Sequence, residues 1–245
     1  MTLAAVAAAI AAPAFGETGS RKLVDITKTQ SAPFQPGGTI RVDHTYGELS
    51  VEGWDRPEVE LTFTKSPDGL YGAKEQDEAG KLAENVSVTF DRKSDSEIDI
   101  STAVAHFRRW THPFGPKGRV ALEYRLRVPR NSKLAIHHEN GEVMVSGVVG
   151  DIDATGNAGD IVLLLPETEK YSIDAKNGFG TVWCDIEGDH RHGLAKSEYT
   201  VAGPAGAHKI SVRMGRGGIE IKGSPAAAQP VASGASTPGT EAQSR

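Results

Sequence analysis

One cysteine, Cys184, occurs in 245 residues. No intramolecular disulfide can form, so cysteine usage leaves the redox compartment undecided, and a buried structural thiol is the expectation for Cys184. Excess positive charge is also missing. Lys and Arg total 27 against 32 Asp and Glu, giving a formal charge of −5 and a pI near 5.9. A nucleic-acid binder would carry a basic stripe, so that partner class is set aside. No stretch approaches the ~20 apolar residues of a membrane span. Catalytic signatures are lacking as well: there is no G-x-S-x-G elbow and no H-E-x-x-H pair. The corner GRGG, Gly215 to Gly218, lacks the G-K-[ST] ending and the helix that a phosphate loop needs. These absences name no reaction, no catalytic residue and no cofactor.

The ends of the chain are biased in composition. TLAAVAAAIAAPAFG is a short apolar run in which Ala12-Pro13-Ala14 fits a signal-peptidase site, although the positive n-region is missing. Residues 1–16 are read as a truncated signal peptide, with an Ala-rich helix as the alternative. A signal peptide implies export to the periplasm or the extracellular space. Residues 224–245 are rich in Ala, Pro, Ser and Gly without an aromatic, and are read as a disordered tail.

Between them, one pattern recurs. In LAIHHENGEVMVSG, Leu134 and Ile136 alternate with other residues, so both point to one face of a strand. Asn140-Gly141 supplies a turn, and Val143 and Val145 form a second in-facing pair. Further copies start at Ile152, Tyr171, His190 and Ile210, after steps of 18, 19, 19 and 20 residues, and an outlying copy starts at Ile40. Their in-facing positions are apolar except Gly180, His190 and His192. The central turn holds Gly47, Gly141, Gly159, Gly178 and Gly217, with Ser197 the exception. A near-constant period with two strands per unit is the mark of a solenoid. The fold class expected is all-β, a single-stranded parallel β-helix of about 19-residue coils. Val145, Leu163, Val182 and Ile221 would then share one inner column. The competing structure is an antiparallel meander of short hairpins, which Asn140-Gly141 favours locally.

Residues 54–129 break the period. EVELTFTK, NVSVTFDRK, SEIDISTAV and RVALEYRLRVP read as longer strands, with a short helix between the first two and a long loop between the last two. This region is expected to be an N-terminal sheet capping one end of the coil, where an uncovered strand would invite edge-to-edge pairing.

The stretch GGTIRVDHTYGELSVEGWDRPEVELTFTK, with Gly53-Trp54-Asp55 before an EVEL-type strand, resembles the opening of the bacterial putative-adhesin domain family, a β-strand-repeat family of unknown function. Leu134 to Gly223 resembles that family's repeated body, so the likeness covers residues 37–223. It implies an exported, β-helix-like envelope protein, no established enzyme activity and no catalytic residues to carry over.

Few residues offer chemistry. His190 and His192, two apart on one strand, are weak candidates for a metal site, the alternative being a solvated turn. His137 and His138 are adjacent and face opposite sides. The acid pairs Asp151 with Asp153 and Asp174 with Asp185 would suit a polysaccharide-cleaving β-helix, or mere solvated corners. The loop holding Phe107, Arg108, Arg109, Trp110 and Phe114 interleaves cations with aromatics. That chemistry suits an envelope glycan, a lipid headgroup or a protein partner, unless the aromatics plug the end of the coil. The function expected is a non-enzymatic, adhesin-like binding module of the cell envelope. A self-associating scaffold and a carbohydrate-active β-helix enzyme are the alternatives.

Overall fold

Strands that alternate apolar and polar residues on both sides of a glycine dominate this chain. In the computed structural model, residues 21–72, 75–104 and 119–224 are described. The elements are β1 (Ile26–Pro33), β2 (Thr39–Trp54), β3 (Glu58–Pro67), α1 (Gln76–Glu84), β4 (Val86–Ser94), β5 (Glu97–Val104), β6 (Val120–Pro129), β7 (Lys133–Ser146), β8 (Ile152–Pro166), β9 (Tyr171–Cys184), β10 (Asp189–His192), β11 (Ser197–Val201) and β12 (His208–Ser224). Among the described residues the chain is all-β apart from α1. Its strands join one mixed sheet that is not closed, in the order β1-β3-β6-β2-β7-β8-β12-β9-β11-β10, with β5 pairing β2 and β4.

Strands β2, β7, β8, β12 and β9 run parallel. Leu134 lies level with Ile152 and Ser146 with Leu164, yet only residues 147–151 connect β7 to β8. Such a link spans at most about 3.5 Å per residue, whereas a straight strand as long as β7 would reach roughly 45 Å. Each of these strands is therefore folded back at its glycine into two walls. Burial agrees: His138 and Val143 are both buried, five residues apart, so the alternation changes phase at the corner.

The core lies between the walls in columns. Ile40, Leu134, Ile152, Ile210 and Ile173 form one; Leu49, Val143, Ile161, Ile219 and Val182 form another; all are buried. Each such side chain contributes roughly 1.5–3 kcal/mol when fully buried.

The corner column, Gly47, Gly141, Gly159, Gly217 and Gly180, has φ between +104° and +145°. A Cβ on Gly159 would sit 1.7 Å from the Gly141 carbonyl oxygen. Close stacking of the bent backbones thus excludes every side chain there, whatever its polarity.

Four expectations are corrected. Coils do not stack in chain order, because β12 lies between β8 and β9. A strand flanked on both sides suits β12, whose in-facing Ile210, Val212, Met214, Ile219 and Ile221 are all buried. The copy at Tyr171 is displaced by two residues. Ile173 is level with Ile210, Gly180 rather than Gly178 takes the corner, and Cys184, not Val182, lies beside Ile221. The inner column therefore runs Val145, Leu163, Ile221, Cys184. The copy at His190 is not a rung: β10 and β11 form an antiparallel hairpin against β9. Every β10 residue is exposed, so a short charged strand ends the sheet, which discourages edge pairing. Finally, part of region 54–129 continues the ladder. β5 pairs in parallel with the first half of β2 and β6 with its second half, so Ile98, Ile100, Tyr124 and Leu126 make a further rung. Beyond them the walls part: β4 runs antiparallel on β5, and β3 then β1 antiparallel from β6. α1 buries Ala79, Leu82 and Ala83 and contacts β3 and β4. The signal-peptide and binding-loop expectations, and the tail beyond Ser224, lie outside the described residues.

Candidate binding site

Among the described residues, two concave regions and a buried polar cluster bring together groups able to act on a ligand or a proton. A trough of about 560 Å³ opens on the outer face of the first wall, within the size range of ligand sites. Strand register builds it. Asp99, Arg41, Ala135 and Asp153 occupy one row across β5, β2, β7 and β8. Ser101, Asp43, His137 and Thr155 occupy the next. On β4, Asp91 stands opposite Asp99 and Thr89 opposite Ser101. Ala135 is the small residue among long ones, which leaves the depression. Arg41 pairs with Glu97 and lies 3.7 Å from Asp99, while Lys93 pairs with Asp91 at 2.5 Å. His137 Nδ1 and Thr155 Oγ1 share a hydrogen bond of 3.0 Å. Asp43 and Asp153 make no ion pair among the described residues. Free carboxylates, hydroxyls and cations side by side on neighbouring strands offer both acceptors and donors to a hydroxyl-rich ligand.

The second region is a cavity of about 720 Å³ where the walls part. Leu82, Val86, Val104, Val120 and Leu122 give it an apolar lining; Glu48, Asp68, Arg119 and Glu123 stand at its exposed lip. Val104 and Arg119 flank the segment that contains Phe107, Arg108, Arg109, Trp110 and Phe114, and both belong to this cavity.

The buried cluster was not legible as a site. His44 and His138 are fully buried next to the corner glycines, with Nδ1 atoms 2.9 Å apart and rings stacked at 5.0 Å. Both Nε2 atoms are buried without a hydrogen-bond partner among the described residues. Tyr124 lies against His44, ring centroids 4.5 Å apart, and its hydroxyl shares a hydrogen bond of 2.8 Å with Thr102 Oγ1. Burial, and secondarily the charge of His138, holds the His44 pKa down at about 3; burial lowers that of His138 as well. Burial pushes Tyr124 up to about 12. Only alignment of two copies far apart in sequence could have signalled this pairing.

The other sequence candidates separate. His190 and His192 sit on exposed β10, ring centroids 4.7 Å apart, and His190 Nε2 is 3.1 Å from Ser197 Oγ. Among the described residues no three His, Cys, Asp or Glu side chains gather for a metal ion. Of the paired acids, Asp151 accepts from Lys209 N–H and Asp185 from Gly223 N–H, Asp174 holds the Arg213 side chain at 2.6 Å, and Asp153 lines the trough. His137 is exposed and His138 buried, as their adjacency predicts.

No protein-family model matches this sequence, and no curated protein matches it. Among solved structures, it is similar to a putative cell adhesion protein from Clostridium sporogenes ATCC 15579, with a TM-score of 0.45, 12% identity, and coverage of 81% of this chain and 100% of that one. A putative adhesin from Bacteroides fragilis NCTC 9343 has a TM-score of 0.24 at 10% identity, covering 81% of this chain and 97% of the other. A putative lipid binding protein from Parabacteroides distasonis ATCC 8503 has a TM-score of 0.21 at 9% identity, covering 81% and 96%.

Proposed function

We propose that this chain is a non-enzymatic, exported binding module of the cell envelope, adhesin-like in action, whose trough on the first wall holds a hydroxyl-rich envelope glycan. The trough itself is the supporting observation. It places the carboxylates of Asp43 and Asp153, which make no ion pair among the described residues, beside His137, Arg41 and Lys93. Adjacent strands repeat at ~4.8 Å, so donors and acceptors recur at a regular spacing along the wall, as a ligand with many hydroxyls requires. In this proposal the bent rungs act as a short β-solenoid, a stiff frame that presents those groups without reorganisation. Export is supported by the apolar run at residues 3–16.

The test is a glycan-array and envelope-polysaccharide binding assay on the purified chain, with Asp43→Asn/Asp153→Asn as the paired variant. Saturable binding that falls at least tenfold in a normally folded variant supports the proposal. Binding unaffected by the variant, or steady turnover of the bound glycan, overturns it.

A second proposal, self-association into a scaffold, is favoured by exposed Phe179 and Trp183 on β9 and by Leu194, which lies near Gly180 through the Ala195 carbonyl. A monomer by light scattering at high concentration ends it.

A further inference from the structure

The cavity at the fork of the walls has an apolar interior and an acidic lip. Leu82, Val86, Val104 and Leu122 line it, and its volume, about 720 Å³, matches a small ligand. Glu48 and Glu123 stand directly opposite on neighbouring parallel strands. Like charges in that position repel, and neither forms an ion pair among the described residues. Asp68 adds a third carboxylate at the lip, against one cation, Arg119, among the described residues. On the next rung Glu142 is level with Glu48, and Asp160 follows, so negative charge continues along the corner. Repulsion of this kind is relieved by a cation, and the apolar space beneath needs a hydrocarbon body.

We infer that this cavity binds a small cationic amphiphile, its hydrocarbon chain between the parted walls and its ammonium-type head between Glu48, Glu123 and Asp68. An anionic head would meet three carboxylates, and a purely polar ligand would leave the apolar lining unmatched. The site is separate from the trough, which lies on the outer face of the first wall and shares no lining residue with it.

The experiment is isothermal titration calorimetry of the full chain with decyltrimethylammonium and with decyl sulfate, each as monomer and at physiological salt. The cationic probe is expected to saturate at one per chain and to bind at least tenfold tighter than the anionic one. Ala121→Phe, a substitution at an exposed β6 residue on the cavity wall, is expected to abolish uptake of both. Glu48→Gln/Glu123→Gln is expected to keep hydrocarbon binding and erase the tenfold preference. Glu167→Gln/Glu187→Gln, an equal charge change away from the cavity, is expected to retain it. Circular dichroism reports the fold of each variant, and should Ala121→Phe unfold, the paired glutamate variants decide. Equal or tighter binding of decyl sulfate, uptake without saturation, or a preference that survives Glu48→Gln/Glu123→Gln overturns the inference.

Discussion

His44 and His138, ninety-four positions apart in the chain, meet Nδ1 to Nδ1 at 2.9 Å inside the seam between β2 and β7. One ring N–H donates and the other ring accepts, so the contact requires both rings neutral or one charge at most. Tyr124 faces His44, and Glu139 and His137 flank His138. Unfolded histidines titrate near 6.5, whereas burial holds folded His44 at about 3 and lowers His138. The unfolded chain thus binds more protons through this interval. Stability from the pair is fully present above about pH 6.5 and is lost as pH falls below it, for His44 at up to ~1.4 kcal/mol per pH unit down to about pH 3, with His138 adding a loss of the same sign. Thermal melts from pH 7 to pH 4 should show this slope, and His44→Met/His138→Met should flatten it. Parallel slopes in the two proteins would refute the assignment.

Gly159→Ala is expected to cost about 3 kcal/mol or more. Its φ of +121° is strained for any side chain, and the Cβ would collide with the Gly141 carbonyl. Gly206→Ala, with φ of +84° and open space around it, should cost only ~1 kcal/mol. Denaturant titration of both separates stacking from backbone strain; equal losses would show that the ladder contact contributes nothing.

The hydroxyls of Tyr124 and Thr102 satisfy each other inside the core. Tyr124→Phe or Thr102→Val alone should cost ~1–3 kcal/mol, since one buried polar group is orphaned. The double variant should cost clearly less than the sum. Additive losses in a double-mutant cycle would argue against the pairing.

Cys184 lies half-buried, and burial raises its thiol pKa. Less thiolate is available at neutral pH, so reaction with a disulfide reagent should be slower than for free cysteine and should accelerate on unfolding. A fast reaction in the folded chain would place this thiol among reactive cysteines instead of structural ones.

Legibility followed locality. Leu134, Ile136, Val143 and Val145 announced their facing through alternation alone, and Gly47, Gly141, Gly159 and Gly217 marked the corner because backbone stacking admits nothing larger there. The rung at Tyr171 slipped by two because Gly178 and Gly180 both satisfy a turn locally, and only the neighbouring Gly217 carbonyl selects Gly180. The rung made by Ile98, Ile100, Tyr124 and Leu126 was hidden because residues 105–118 stand between its halves, which destroys the spacing. The trough was equally hidden: Asp43, His137 and Thr155 become neighbours only through pairing of β2, β7 and β8.

By itself, the sequence determined which side chains of β2, β7, β8 and β12 face the core and where those strands turn, since both depend on alternation and on residues a few positions away. The tertiary structure decided which rung lies beside which, placing β12 between β8 and β9 and His44 against His138. Bent rungs of similar shape are interchangeable to local forces, and their order is set by the total burial and edge protection of the finished sheet.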